Sequence, residues 1–468
     1  MAESNNSISG NVAATVERTA EGGKLHWQAA GRALRHRNFQ LFFSGQLISL
    51  IGTWMQTVAQ SWLVYRLTGS GLQLGAVGFA SQIPVFLVAP IGGIVADRTN
   101  RKHVVIGTQV ASMTLAFVLA ALTLSHIIDR RVWLIYVLAA LLGVVNAFDI
   151  PGRQSFLVDM VGKEDLMNAI ALNSSMFNGA RVIGPAVAGV LVARLGEGWC
   201  FFANGVSYIA VIAGLLLMNV HAPARVSANT SPWDHIVEGF EFVNRTAPIR
   251  ALMILLGLVS LSGMPYVVLM PLFADKILHH GGQEFASLIG SHDLGAVRLG
   301  ILMGAAGVGA LLGALTLAVR TGVKGLGTWV STCCAGFGIS LMLFSFSRNF
   351  WLSVLLLLPV GYFVMLQMAS SNTLIQVMVP DVLRGRTMAV YSMMFMGMAP
   401  VGALLGGALS DHLGAPLTVA IGGFASVLGA WWFALQLPKI RVEARRLIMA
   451  QAAAGGEPAE MTAAVAED

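Results

Sequence analysis

Long apolar stretches alternate with short polar breaks along the chain, and most stretches match the thickness of a bilayer. A spanning helix needs about 20 predominantly apolar residues. Twelve segments satisfy this, at roughly 39–65, 72–96, 104–126, 132–157, 169–194, 198–220, 251–275, 297–319, 325–347, 350–376, 388–411 and 415–437. The pattern predicts an all-α polytopic membrane protein with twelve transmembrane helices. The deepest break in hydropathy is residues 221–250, which hold Pro223, Pro232 and Pro248. Within it Trp233, Ile236, Val237, Phe240 and Phe242-Val243 recur near helical spacing. That predicts an amphipathic helix lying on the membrane surface and joining two halves.

The organisation follows: an N-terminal tail over 1–37, a six-helix half over 38–220, a linker over 221–250, a second six-helix half over 251–437, and a tail over 438–468 expected to be disordered. The halves repeat. At an offset of 218 residues Val161 meets Val379, Ala171 meets Ala389, Gly184 meets Gly402, Gly189 meets Gly407, and Leu195-Gly196 meets Leu413-Gly414. Two pseudo-symmetric six-helix halves place a substrate site at their junction, near the membrane midplane.

Composition sharpens this picture. The 468 residues are 56% hydrophobic and 11% charged, with a mean hydropathy of +0.72; soluble domains carry about 25% charged residues. The 52 glycines suit close helix packing. The net charge of +6 does not indicate nucleic acid, because Lys and Arg concentrate in both tails and in the breaks on one side of the membrane. The positive-inside rule then puts both termini in the cytoplasm. Residues 1–37 lack the apolar core of a signal peptide. Cys200, Cys333 and Cys334 fall in apolar segments with no CxxC pair, so neither a disulfide nor zinc is expected. No Gly-x-x-x-x-Gly-Lys-Ser/Thr loop occurs, so direct use of ATP is not expected, and no cofactor or metal is implied.

One polar break stands out: Gly93-Ile94-Val95-Ala96-Asp97-Arg98-Thr99-Asn100-Arg101-Lys102. It is a short cationic loop led by one carboxylate. It resembles the signature between helices 2 and 3 of the major facilitator superfamily, with Gly93, Ala96, Asp97, Arg98, Arg101 and Lys102 in register. Asn100 replaces the usual glycine and is the next most tolerant residue of a left-handed turn. The resemblance implies that Asp97 holds the cytoplasmic side shut against the start of helix 11, with Arg98, Arg101 and Lys102 around it and Arg384 and Arg386 just before that start. An alternative is a basic anchor with no gating role. The loop after span 8 offers Arg320 and Lys324 but no carboxylate, which suggests one inner latch and not two.

Span 5 carries Gly179, Gly184, Pro185 and Gly189, where glycines admit a neighbouring helix and Pro185 frees a carbonyl. This resembles the Gly-Pro-x-x-x-Gly signature of export-type facilitators. Arg181 lies near the centre of the same span. An Arg there costs roughly 2.5–3.5 kcal/mol on insertion scales, so it should face a cavity or a partner. It either binds substrate or holds a facing carbonyl. Asp149 and Arg153, four apart in span 4, share a helix face if Pro151 leaves the helix intact. Asp149 is the candidate for proton coupling, with structural pairing at the inner gate as the other reading. Gln56, Gln60, Asn178, Gln367 and Asn372 are candidate cavity residues.

The run Gln376–Arg386, Asn38-Phe39 and Asn168–Asn173 resemble the bacterial drug and siderophore exporters of enterobactin-exporter type. That resemblance implies a secondary transporter in the bacterial inner membrane, exporting amphipathic small molecules by alternating access and coupled to protons. The implied partners are a small-molecule substrate, the lipid bilayer and H+, without nucleic acid, and the chain is expected to act as a monomer. An importer of a sugar or organic acid and a non-transporting membrane sensor remain as alternatives. A lipid-active membrane enzyme would need an interfacial cluster of His, Asp or Ser, and none is visible.

Overall fold

A computed structural model of the chain describes residues 31–162, 164–219, 232–284, 293–320, 322–323 and 325–453; the side chains of residues 96–97, 232–236 and 452–453 fall outside the description. Twelve long helices lie among the described residues: α1 (Arg37–Thr68), α2 (Gly71–Arg98), α3 (Arg101–Leu124), α4 (Trp133–Val161), α5 (Leu166–Leu195), α6 (Glu197–Leu217), α7 (Ala247–Ile277), α8 (Leu294–Val319), α9 (Leu326–Phe346), α10 (Phe350–Met378), α11 (Asp381–Leu413) and α12 (Ala415–Ala453). Eleven are long and apolar enough to cross a membrane. The exception is α1, whose Gln46, Ser49 and Gln56 are buried against neighbouring helices rather than offered to lipid. With 32 residues packed along α5 and α6, α1 runs through the same layer, and twelve passes put the start of α1 and the end of α12 on one side, here called the terminal face.

The two halves repeat the same packing. In the first, α1 packs on α5 and α6, α2 on α4, and α3 on α4 and α6; in the second, α7 packs on α11 and α12, α8 on α10, and α9 on α10 and α12. The halves meet mainly through α2 against α11 and α5 against α8. Their interiors differ. Both bury large aromatics, Phe39, Phe42, Phe156 and Phe201 in the first half and Phe273, Phe337, Phe344 and Phe350 in the second, but the first also buries the carboxylate Asp149, whose place at the repeat offset is the neutral Gln367.

Prolines inside the helices explain several close approaches. A proline lacks the N–H that would bond the carbonyl four residues earlier. Pro151 does this to Ala147, Pro185 to Arg181 and Pro265 to Leu261. Each of these carbonyls meets a glycine of a packed helix: Gly92, Gly307 and Gly402 respectively. A side chain would collide at Gly92 and Gly402 and crowd the carbonyl at Gly307, and the glycine Cα hydrogens give each carbonyl a weak replacement donor. α7 also contains two π-turns, Val259–Gly263 and Phe273–Ile277.

Three expectations change in detail. Asn100 does not adopt a left-handed turn; it is extended (φ −71°, ψ 109°) and caps α3 by accepting the Lys102 N–H at 3.0 Å. α11 begins at Asp381, directly after Pro380, so Arg384 and Arg386 lie within its first turns and not in a preceding loop. α12 runs through Pro438 to Ala453, so the tail expected to be disordered from 438 starts as helix; residues 454–468 lie outside the described residues. The linker helix spans Pro232–Arg245, and the rest of 220–231, like the N-terminal tail to residue 30, lies outside the description.

Candidate transport pathway between the halves

On the face opposite the termini, the halves interlock through small residues. Gly71 and Gly75 of α2 lie against Gly407 and Ala403 of α11, and Gly189 of α5 lies against Gly300 of α8. A Cβ on Gly300 would sit 2.7 Å from the Pro185 carbonyl and 2.9 Å from the Gly189 Cα. Toward the terminal face the same helices part. Gly93 on α2, Gly179 on α5 and Gly385 on α11 each face open space. A cleft of about 590 Å³ lies there between Val85–Pro90 of α2 and Val382–Met396 of α11. The molecule is closed on one face and open on the terminal face.

Polar bonds between the halves reinforce the closed face. The Asp411 carboxylate, near the end of α11, accepts from the Gly71 N–H at 2.6 Å, the Leu72 N–H at 3.1 Å and the Ser70 hydroxyl at 2.5 Å. Those N–H groups have no helical acceptor, being the first of α2, and the positive end of the helix dipole lies there. The Tyr65 hydroxyl donates to Asp275 at 2.6 Å, and the Trp62 indole N–H donates to Asp293 at 3.0 Å. Lys276 donates to the Gly69 carbonyl at 3.2 Å and stands 5.8 Å from the Tyr65 ring centre. None of these residues was singled out by the sequence reading. A signal existed for one: Gly407 and Asp411 repeat the four-residue spacing of Gly93 and Asp97, at the other end of the partner helix.

The predicted gating residues are not gathered at one contact. The Asp97 side chain lies outside the described residues. Arg98 is exposed at the end of α2. Arg101 donates to the Ser155 carbonyl at 2.6 Å and pairs with Asp159 at 3.4 Å, tying α3 to α4. Lys102 donates to the Met218 carbonyl at 2.7 Å, at the end of α6. Arg384 pairs with Asp381 on its own helix at 2.6 Å, and Arg386 pairs with Glu238 of the linker helix. In this open arrangement the cations brace each half and hold the linker helix on α11.

Of the span 5 residues, Gly184 lets α1 approach, since a Cβ there would meet Trp54 and stand 3.0 Å from the Ile51 carbonyl. Gly189 and Pro185 form the α8 contact, while Gly179 packs against nothing. The Arg181 guanidinium lies 5.6 Å from the Trp54 ring centre, and Trp54 packs edge-on against Phe177, itself 44% exposed. Among the described residues Arg181 has no hydrogen bond or ion pair.

Asp149 is buried between α3 and α4. It accepts from the Thr108 hydroxyl and the Gln109 amide, both at 2.8 Å, and faces Arg153 at 3.3 Å. Pro151 leaves the helix intact, so the i, i+4 pair forms as expected. Gln56 turns away from the junction and accepts from Asn204 of α6 at 2.7 Å. Gln367 is buried in α10, its amide 3.5 Å from Ser371; at the repeat offset it occupies the place of Asp149. Asn372 accepts from Gln376, and Asn178 donates to the Ser174 carbonyl of its own helix at 2.9 Å. Gln60 is half-buried on α1. No group of three His, Cys, Asp or Glu converges on a metal position among the described residues.

Comparisons with known proteins agree with this fold. The chain is 26% identical over 388 residues to the staphyloferrin A transporter of Staphylococcus aureus (strain NCTC 8325 / PS 47), covering 82% of this chain and 93% of that protein. It is 27% identical over 400 residues to the multidrug efflux pump Tap of Mycolicibacterium fortuitum, covering 83% and 93%. To the enterobactin exporter EntS of Escherichia coli O1:K1 it is 26% identical over 418 residues, covering 88% and 93%. Among solved structures, the nucleoside transporter NupG shares the fold with a TM-score of 0.67 at 16% identity, over 87% of this chain and 99% of that one. A bacterial homologue of the iron transporter ferroportin, in an inward-facing state, does so with a TM-score of 0.62 at 18% identity, over 85% and 98%. The transmembrane secretion effector profile matches residues 29–454, and the chain belongs to that family of major facilitator transporters.

Proposed function

We propose that the chain is a secondary active exporter of amphipathic small molecules, of the drug or siderophore class, which works by alternating access in the bacterial inner membrane and is coupled to protons. The observation that carries this reading is the asymmetry of the junction: polar bonds lock one face while the other stands open. With both tails in the cytoplasm, a placement that the distribution of Lys and Arg supports, the open face receives substrate from inside the cell. The siderophore and drug transporters among the relatives support the outward direction.

The chemistry follows from the residues at the junction. Trp54 and Phe177 offer aromatic surface, and Arg181 offers a cation that stacks on Trp54. An amphipathic molecule with an aromatic or anionic group matches that set. Asp149 is assigned to proton coupling. It accepts from Thr108 and Gln109 of α3 and faces Arg153 on its own helix; a proton on the carboxylate would cancel the attraction to Arg153 and weaken the bonds that tie α4 to α3. Opening of the far face then requires Asp411, Asp275 and Asp293 to leave their partners across the junction.

The test uses inverted membrane vesicles holding a pH gradient. Lipophilic drugs and siderophore-like compounds are added, and dissipation of the gradient is followed in wild type, Asp149→Asn and Arg181→Ala. Dissipation by some compounds, lost in both variants, is the expected result. Correctly oriented, folded protein that leaves the gradient intact with every compound would sink proton-coupled export of this class. Accumulation of the same compounds by whole cells would instead make the chain an importer.

A further inference from the structure

We propose that the terminal face carries a binding site for one anionic phospholipid, set between α7, α9, α10 and the extension of α12. The site is a cavity of about 250 Å³. Leu252 of α7, Met378 of α10 and Phe433, Leu437, Ile440 and Ile448 of α12 supply its apolar wall. Leu252, Met378 and Phe433 are each no more than 2% exposed, so the wall is part of the helix packing and not a loose surface groove. Arg441 and Arg445 also line it.

The placement of these residues follows from length. α12 has 39 residues, and at 1.5 Å per residue it is roughly 58 Å long, against about 30 Å for the hydrocarbon core of a bilayer. Starting at Ala415 on the far face, about 20 residues exhaust that core, so the stretch from Pro438 to Ala453 emerges at headgroup depth. There Leu437, Ile440, Ala444 and Ile448 keep one apolar stripe turned to the cavity, and Arg441 and Arg445, one turn apart, flank it.

Charge at this level is net positive. Residues 438–453 hold Lys439, Arg441, Arg445 and Arg446 against Glu443. A further cation, Arg320 at the end of α8, stacks on Trp329 of α9 with its guanidinium carbon 4.1 Å from the ring centre. Its Nη2 lies 3.4 Å from where a Cβ of Gly325, another lining residue, would stand. The hydrogen bond from Arg441 to the Thr328 hydroxyl is long, 3.4 Å, and guanidinium has five donors, so most of its capacity is unspent. A deep apolar cavity under an Arg pair suits a molecule with an acyl chain and a phosphate, the chain inside and the phosphate bridging the two guanidinium groups. The rival occupant is the chain's own end, since residues 454–468 carry Glu457, Glu460, Glu467 and Asp468.

The assay is native mass spectrometry of the delipidated full-length protein, titrated with phosphatidylglycerol or phosphatidylcholine. One phosphatidylglycerol is expected to bind at least about tenfold more tightly than phosphatidylcholine, a gap that one or two charge-assisted bonds supply. Arg441→Ala/Arg445→Ala should erase that preference, and Ala444→Trp, which fills the cavity without touching charge, should remove the same single lipid. Thermal melts check that both variants are folded, and the cavity-filling variant carries the test if the double variant is not. Equal binding of the two lipids, or a preference that survives both variants, overturns the proposal. So does displacement of the lipid by equimolar inorganic phosphate, which would mark a simple anion site. Binding that appears only after truncation at Ala453 would give the cavity to the acidic tail and overturn it as well.

Discussion

Asp411→Asn isolates the polar part of the far-face latch. The carboxylate accepts three bonds, two of them from the first N–H groups of α2. A hydrogen bond to a charged group contributes about 1.5–3 kcal/mol when shielded, but Asp411 is an exposed residue and solvent screens it. Asparagine also keeps one acceptor oxygen. The net loss is then about 1–2 kcal/mol from the far-closed state, a ~5- to 30-fold shift in the closed-to-open ratio. Spin labels on cysteines replacing Leu72 and Leu413 report it, since both side chains are exposed beside the latch. The native cysteines are buried and would be replaced in the background. Wild type should give one short distance; Asp411→Asn should add a longer component, enlarged by Asp411→Ala. An unchanged distribution in both variants would refute the assignment of latch energy to this carboxylate and leave closure to glycine packing alone.

Other perturbations separate the remaining parts. Gly300→Leu should keep α5 and α8 from meeting, so a cysteine at Gly304 becomes open to a membrane-impermeant thiol reagent from the far face; continued protection would count against closure by small residues. Asp149→Leu should cost more than Asp149→Asn, because Thr108 and Gln109 lose their acceptor and the half-buried Arg153 its counter-charge, whereas Asp149→Asn should cost about 1–2 kcal/mol and fold while losing proton coupling; thermal melts and the gradient assay check the pair. At the terminal face, the hydrogen bond from His36 is the largest influence on the Asp165 carboxyl and, with the charge of Arg32, holds it below its ordinary value despite the opposing effect of burial. A depressed carboxylate contributes above its unfolded value and is lost as pH falls through the folded one. Spin labels at Gly31 and Met167 should therefore stay close at neutral pH and separate only below about pH 4, and earlier in a His36→Ala background.

The spans were readable because lipid demands length and apolarity, and these survive without knowledge of contacts. The start of α11 is hidden in the sequence because Asp381, Arg384 and Arg386 look like loop residues; they form instead a charged beginning of the helix behind Pro380. The rotation of each helix was not readable. In a chain where lipid and helix interior are both apolar, the pattern hardly marks an inner face, and so Gln56 went to Asn204 and not to the junction. Asp149–Arg153 was legible from spacing alone. The bonds of Trp62 and Tyr65 to Asp293 and Asp275 join positions more than 200 residues apart, and only tertiary structure reveals them.

Asp411 sits two residues before the end of α11, where the dipole of its own helix is negative. A carboxylate there is locally frustrated, and its relief comes from the positive end of α2. When the far face parts, Asp411 therefore loses an attraction and regains a repulsion at once. The open far face is penalised twice by one residue, so the resting orientation of the carrier can be retuned by a single charge without touching the surfaces that recognise cargo.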